Sequence, residues 1–398
     1  MIQSVRQAYN QVFSPESYRA FLDTVDTDYP GQLDFRVAET PIFVPKILTD
    51  KLLEACDDIV NVITRDDFQA LTDKAIPAGQ RVPNEDAHTQ FMAVDFAVCK
   101  NEEGELTPQL IELQGFPSLY GFQPYIASLF RSLYPIPDNL SHFFTVASNA
   151  DYLEQLRRMI VGDCNPEEVI LLEIYPEKQK TRIDFVLTQK YLGVSAVCIT
   201  KIKKEGRDLF YEKDGRQVHI KRIYNRLIFD DLQNFPNLQT DFHLTDDVDV
   251  EWVGHPNWFF RISKYTLPLL KSPYFPASYF LSDLNTYPTD LENYVLKPLF
   301  SFAGSGVKLN ITPADLDAIP AHQRDGYLLQ RKVKYEPVIQ SPDGLVKCEI
   351  RMLFIWPKGD KKPSLVTNLS RLSRGEMIGV NFNKNKDWVG GTVCFFEK

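Results

Sequence analysis

Six cysteines and six histidines are all that 398 residues supply, and neither set clusters. Cys56, Cys99, Cys164, Cys198, Cys348 and Cys394 stand far apart, with no CxxC pair and no histidine at zinc spacing, so the sequence offers no zinc site. Most lie in apolar, strand-like runs and are expected to be buried free thiols. The scattered histidines form no Ser-His-Asp or Cys-His constellation, and His88 beside Asp86 reads as a surface residue. No apolar run reaches membrane-spanning length, which excludes a membrane partner of that kind. The start, MIQSVRQAYNQVF, is amphipathic but too polar for a signal peptide, so a cytoplasmic location is expected. A net charge of −9 argues against a general nucleic-acid or anionic-membrane surface, and any phosphate site must be a local basic pocket. There is no internal repeat and no low-complexity tract.

What is present is enough chain for two or three packed units. Residues 1 to about 75 read as helical: VRQAYNQVF, then Pro15-Glu16 opening SYRAFLDTV, then LTDKLLEACDDIVNVI. Nothing there has catalytic character, since the paired acids Asp57-Asp58 and Asp66-Asp67 point apart on a helix. Phe91 to Val98 is a strand pattern with Asp95 in its middle, and Leu110 to Gln114 is a second strand carrying Glu112, the two joined by a turn at Asn101 to Gly104. A buried carboxylate is costly unless paired or metal-bound. Glu112 and Gln114 share one strand face, so Asp95, Glu112 and Gln114 supply hard oxygens of the kind that hold Mg²⁺ with phosphates. The competing reading is a set of structural acids paired with Lys or Arg. From about 150 the pattern alternates: strand Val169 to Leu172, helix Lys180 to Tyr191, strand Val194 to Ile199, a βαβ unit of a small parallel sheet. Strand-like segments at Asp208 to Glu212, Gln217 to Ile220 and Ile223 to Arg226 close it, and Arg226 at a strand end either greets an anion or is an ordinary surface arginine.

The most suggestive stretch is YVLKPLFSFAGSGVKLNI, Tyr294 to Ile311. Tyr294 to Leu296 reads as a buried strand, Lys297 stands at its end, Pro298 fixes the exit, and Val307 to Ile311 reads as a returning strand. Between them Ser301, Gly304, Ser305 and Gly306 are small enough for close backbone approach to a polyphosphate, whose charge Lys297 would meet. An ordinary hairpin with an exposed lysine fits equally. No Gly-Lys-Ser/Thr follows, so it is not a Walker A loop, and no helix follows, so it is not a dinucleotide fingerprint. Ile262 to Leu270 reads as a helix with Lys264 near its start, cut by Pro268. Tyr327 to Val333 is a strand of the kind that borders an adenine, and Cys348 to Ile355 alternates charged and apolar residues as a half-buried strand does.

In their order, these pieces give the chain a resemblance to ATP-grasp enzymes of the glutathionylspermidine synthase type. It is carried by VDF at Asp95, LIELQGFPS at Glu112, RISKYTLPLLK at Lys264 and YVLKPLFSFAGSGV at Lys297, and it spans about 90 to 398. The resemblance implies an α/β (α+β), ATP-grasp-like fold: a helical region over 1–150 whose 90–125 hairpin completes the active site, a small βαβ domain over 151–240, and a nucleotide-binding domain over 250–398. It implies an ATP- and Mg²⁺-dependent ligase that joins a carboxylate to an amine through an acyl phosphate, with small-molecule or peptide substrates. Lys264 and Lys297 would hold the ATP phosphates, Gln330, Arg331, Lys332 and Val333 would border adenine, and Asp95, Glu112 and Gln114 would bind Mg²⁺. Arg371 or Arg374 would be the late arginine near the triphosphate.

This chain departs from the family pattern in three places. Ala93 stands where the family has an arginine that steadies the phosphate-like intermediate, which leaves Arg81 or Arg226 to replace it. The metal-binding pair has Gln114 in place of an asparagine, and the loop glutamate gives way to Phe302-Ala303-Gly304. No cysteine-amidase domain precedes the hairpin, so the bifunctional form is not expected. A nucleotide-binding module without ligase activity and a small-molecule kinase are the alternatives.

Overall fold

The ten-residue strand β2 (Phe91–Lys100) runs through the largest sheet of the computed structural model, which describes residues 1–300, 306–375, 378 and 383–398. It pairs antiparallel with β3 (Leu106–Gln114) on one side and with β16 (Gly344–Ile355) on the other. β16 continues to β17 (Ser364–Ser373) and β18 (Gly390–Thr392), and β15 (Ile339–Ser341) folds back on its start. Alternation sorts the side chains by face. Met92, Val94, Phe96 and Val98 of β2 enter one core with Ile350, Met352 and Phe354 of β16. The helix Lys46–Ile63 covers that core with Leu48, Leu52, Cys56, Ile59 and Ile63, a stripe at helical spacing. On the opposite face Phe91, Ala93, Leu353 and Ile355 make one apolar end, and Asp95, Glu349, Arg351 and Arg371 make a charged belt beside it. The β2–β3 register shifts between Asp95 and Phe96, leaving Ile111 as the extra residue of a bulge. Glu112 therefore falls opposite Asp95, and Gln114 opposite Ala93.

A second sheet is wholly parallel, in the order β11 (Glu251–Val253), β10 (Arg222–Asn225), β5 (Val169–Glu173), β6 (Ser195–Cys198). The helix Arg182–Leu192 makes the β5-to-β6 crossover, so the expected βαβ unit is present. A small antiparallel sheet of β7 (Lys203–Glu205), β8 (Asp208–Lys213) and β9 (Arg216–Ile220) returns the chain to the other flank of β5. The order therefore reverses between β5 and β10, and their carboxyl ends carry Glu173 and Asn225-Arg226. A third sheet, β12 (Ser278–Phe280), β14 (Tyr327–Arg331) and β13 (Tyr294–Pro298), presents Lys297. The fourth is β1 (Ile42–Val44) parallel to β19 (Cys394–Glu397), with β4 (Leu140–Ser141) on its far edge, and Thr392 Oγ1 donates to Thr40 O beside it.

The architecture is the mixed α/β arrangement expected, and the N-terminal helices form at Gln3–Val12, Pro15–Asp28 and Lys46–Ile63. Ser14 caps the second of these through a reciprocal bond with Ser17, with Pro15 in the first turn. Two local expectations change. The helix read over Ile262 to Leu270 is a short 3₁₀ segment, Lys264–Leu269, because Pro268 inside it cannot donate to an α-helical ladder. The returning strand over Val307 to Ile311 contracts to a single bridge between Leu296 and Lys308, because Gly306 turns the chain with φ +71° and a Thr312 cap soon starts a helix. All six cysteines are free, five of them buried and Cys164 half-buried. Among the described residues no helix is long and apolar enough to cross a membrane.

Candidate functional site

Lys297 leaves the third sheet toward the bulge of β3. Its Nζ donates to Gln330 Oε1 at 2.5 Å and reaches the bulge carbonyl, Ile111 O, at 3.5 Å. The extra residue of the bulge thus turns a main-chain oxygen toward the lysine. Lys264 arrives from another direction, donating to Pro298 O at 3.3 Å, and is buried. Two close approaches bring it there. A Cβ on Gly115 would lie 2.4 Å from Trp258 O, so only glycine lets the end of β3 pass the segment before Lys264. Gly306 packs over Pro298, where a Cβ would come within 2.8 Å of the proline ring. Lys264 shares a pocket with Glu112, Gln114 and Asp230, and Phe259, Phe260, Leu299 and Phe300 form its apolar wall.

The electrostatics follow from burial. Desolvation lowers the Lys297 ammonium to about 8, opposed by Glu112 and reinforced by the charge of Lys264. Lys264 is lowered by burial too, with Glu112 and Asp230 pulling the other way. Two desolvated ammonium groups, one lowered by the charge of the other, are poised for an anion of more than one charge.

Glu112 links this pocket to the charged belt. Its carboxylate accepts from Gln114 Nε2 at 3.0 Å and lies 3.9 Å from Arg351 Nη2. Asp95, opposite it, is buried and receives Arg351 in a fork, with both bonds at 2.5 Å. Arg371 Nη2 adds a third bond to Asp95 at 3.0 Å and also binds Glu349. Tyr335 donates to the other Glu349 oxygen at 2.8 Å, and Arg351 Nη1 donates to Ser118 Oγ at 2.9 Å. Burial alone would raise the Asp95 carboxyl. The charge and hydrogen bonds of Arg351, with help from Arg371, hold it below the ordinary carboxylate value. Glu349 goes the other way: burial raises it, Arg371 pulls it down, and Asp95 pushes it up again.

The structure thus brings Lys264, Lys297, Gln330, Glu112, Gln114, Asp95 and Arg371 into one region, and separates other expected residues from it. Arg374 extends to the β15–β16 turn, where it donates to Ser341 Oγ at 3.1 Å. Arg331 pairs with Asp290 at 3.2 Å. Lys332 binds the same segment twice, its N–H donating to Asn293 O and its Nζ to Glu292 O. These two side chains and that N–H face the 290–294 turn, which leaves Gln330 and the half-buried Val333 of the four residues expected to border an adenine. Ser301, Gly304 and Ser305 lie outside the described residues. Arg226 is buried under the loop after β3, donating to Pro117 O and stacking over Phe116 and Phe185 at 5.1 and 5.4 Å. Arg81 pairs with Asp73 at 2.7 Å. Arg81 therefore does not stand in at Ala93, while Arg226 bonds Pro117, next to the Ser118 that Arg351 holds.

The residue that reaches that neighbourhood is Arg351, from the adjacent strand, and the sequence reading did not single it out. Its signal was the Glu349–Arg351 alternation, which read as a half-buried face while both residues are in fact buried. Gln330 Nε2 and Arg371 Nε are buried with no hydrogen-bond partner, so donors remain at this region for a ligand or solvent.

Mg²⁺, implied by the resemblance, is held by one or two carboxylates with free oxygens together with substrate phosphates. Both Asp95 oxygens are bonded to guanidinium groups, and Lys264, Lys297, Arg351 and Arg371 balance Asp95, Glu112, Glu349 and Asp230. No group of three or more His, Cys, Asp or Glu among the described residues is arranged to hold a metal. Asp95 as placed here, with both oxygens on guanidinium groups, does not fit as a Mg²⁺ ligand.

No family model and no curated protein matches the chain. Among solved structures, it is similar to a glutathione synthetase-like effector from Globodera pallida, solved in its apo form, with a TM-score of 0.61 and 12% sequence identity. The likeness covers 96% of each chain. At that identity it is the fold that is shared, and the chain has the fold of that glutathione synthetase-like protein.

Proposed function

We propose that the chain is an ATP-dependent ligase that joins a carboxylate to an amine. The observation that carries this reading is that Lys264, in the pocket with Glu112, and Lys297, from a separate segment, are both desolvated in the field of Glu112. Burying two ammonium groups near each other is unfavourable in the empty protein, and a polyanion relieves it. ATP supplies the phosphoryl group that turns a carboxylate, a poor electrophile, into an acyl phosphate. The two lysines hold and neutralise the polyphosphate, Arg371 directs its spare donor toward the developing charge, and Arg351 holds Ser118 at the loop following β3. The wall of Phe259, Phe260, Leu299 and Phe300 keeps water from the activated acyl group, so that an amine attacks it. The crevice at the carboxyl ends of β5 and β10, where the strand order reverses, is the natural place for an organic substrate. The glutathione synthetase-like fold supports the reading at the level of fold.

The arginine bonds to Asp95 also favour a second reading, a nucleotide-binding module without turnover. Incubation with ATP, Mg²⁺ and pools of acids and amines separates the two. Release of ADP and phosphate that needs both an acid and an amine supports ligation. Phosphorylation of one small molecule points to a kinase, and ATP binding without turnover to the module.

A further inference from the structure

Asp95 is buried to 1% exposure, and its environment on the sheet is built for guanidinium groups. Ala93 and Ala97 flank it on the same face of β2, two small residues that leave lateral room. Across the pairing, Arg351 stands opposite Asp95 and Arg371 opposite Glu349. Acid and cation therefore alternate from strand to strand, and the diagonal Arg371–Asp95 bond at 3.0 Å joins the two rows. A planar guanidinium matches a carboxylate in a two-bond fork, and Arg351 makes that fork with Asp95. With all three guanidinium nitrogens engaged, Arg351 is held rigid between Asp95 and Ser118. Arg371 is tied at Nη2 alone, keeps 37% of its side chain exposed, and has a buried Nε without a partner.

We infer that Asp95 is a positioning residue for Arg351 and Arg371, and that these fixed cations stand in for a divalent metal held by Asp95 in neutralising an anion at this site. The inference rests on the proposed nucleotide reading only in its choice of ATP as the probe. The belt is complete without ligand, since the acid is already matched by cations that cannot leave.

The test uses the full chain, wild type and Asp95→Asn, first as metal-free protein in a melting experiment and then in calorimetric ATP titrations with Mg²⁺ or with EDTA. The expected result is a melting temperature several degrees lower for the variant without metal or nucleotide. The ratio of ATP affinities with and without Mg²⁺ should change by less than about twofold between the two proteins. An unchanged or raised melting temperature, with the Mg²⁺ enhancement reduced about tenfold or more, would overturn the inference and restore Asp95 as a metal ligand. If Asp95→Asn does not fold, the double variant Asp95→Asn with Arg351→Gln should, because it leaves no unmatched buried charge. The double variant then enters the same titration, and loss of the Mg²⁺ enhancement there overturns the inference as well. Should wild type bind no ATP, the nucleotide reading fails while the metal-free melting comparison still decides the role of Asp95.

Discussion

Two regions of this molecule bury carboxylates, and they do so by opposite means. On the antiparallel sheet, Asp95 sits in a two-bond fork from Arg351 with Arg371 behind it, and its acidity is increased. At the carboxyl ends of the parallel strands, Glu173 is equally sequestered, but its Oε1 accepts only the Ile174 N–H, at 2.7 Å. Arg226, the nearest cation in its field, is committed to Pro117 O. Burial therefore raises Glu173 to about 8, with Arg226 only partly opposing it. Asp184 nearby is raised for the same reason, although it accepts the N–H groups of Gly121 and Phe122. A guanidinium fork lowers a buried carboxyl below its ordinary value, whereas one or two peptide donors and a distant charge leave it raised.

The comparison breaks most visibly at Asp95. Asp95→Ala should lower the unfolding free energy by about 3–5 kcal/mol, since it leaves the buried Arg351 without its acid while Arg371 keeps Glu349. Urea denaturation followed by circular dichroism reads this directly, and a loss under about 1 kcal/mol would mean that the belt is not a buried ion-pair network.

Lys297→Ala and Lys264→Ala should each weaken ATP binding by about 1–3 kcal/mol, the range of a charge-assisted contact. Calorimetry showing unchanged affinity in both folded variants would remove the phosphate assignment.

Titration sharpens the contrast further. Glu173, raised from 4.5 to about 8 in the folded state, holds its proton more tightly there than when unfolded. Its stabilising contribution is present at acid pH and is lost as pH rises from 4.5 through about 8. Lys297, lowered from 10.5 to about 8, binds its proton less tightly when folded, so its contribution to stability increases as pH rises from about 8 to 10.5. Nucleotide affinity should fall over the same rise, because Lys297 loses the charge that attracts phosphate. Glu173→Gln should flatten the first slope and Lys297→Met the second, read from denaturation midpoints across pH. Slopes that survive those substitutions would assign the titrations to other groups.

The smallest effect belongs to the exposed pair of Arg81 and Asp73. Arg81→Ala should cost at most about 1 kcal/mol and leave ATP affinity alone. A large loss of affinity would return Arg81 to the site.

How much of this was legible in the sequence depends on how far apart the partners lie. Asp95 and Glu112 could be read as facing acids because one turn connects their strands and the apolar alternation marks both. Arg351 could not be paired with Asp95, because 256 positions separate them and nothing local shows which strand will lie alongside. The same non-locality hid the role of Glu349. Lys264 was found by motif order, yet its helix was overread, since the apolar pattern outweighed Pro268. Arg371 and Arg374 were interchangeable on paper. Once Arg371 pairs with Glu349 across the sheet, Arg374 lies beyond the end of β17 and turns to another part of the molecule.

The union of β1 with β19 has a consequence for biosynthesis. Thr40 and its partner Thr392 are 352 positions apart, so the first strand waits for that length of chain to be translated before it is paired. The β2–β3 hairpin waits almost as long for β16. The parallel unit between Val169 and Val253 has its strand partners close in sequence and can close while the ribosome is still at work. A nascent chain of this protein thus carries a formed middle and an unpaired beginning, with the edges of β1 and β2 open to chaperones or to self-association until the last strands arrive.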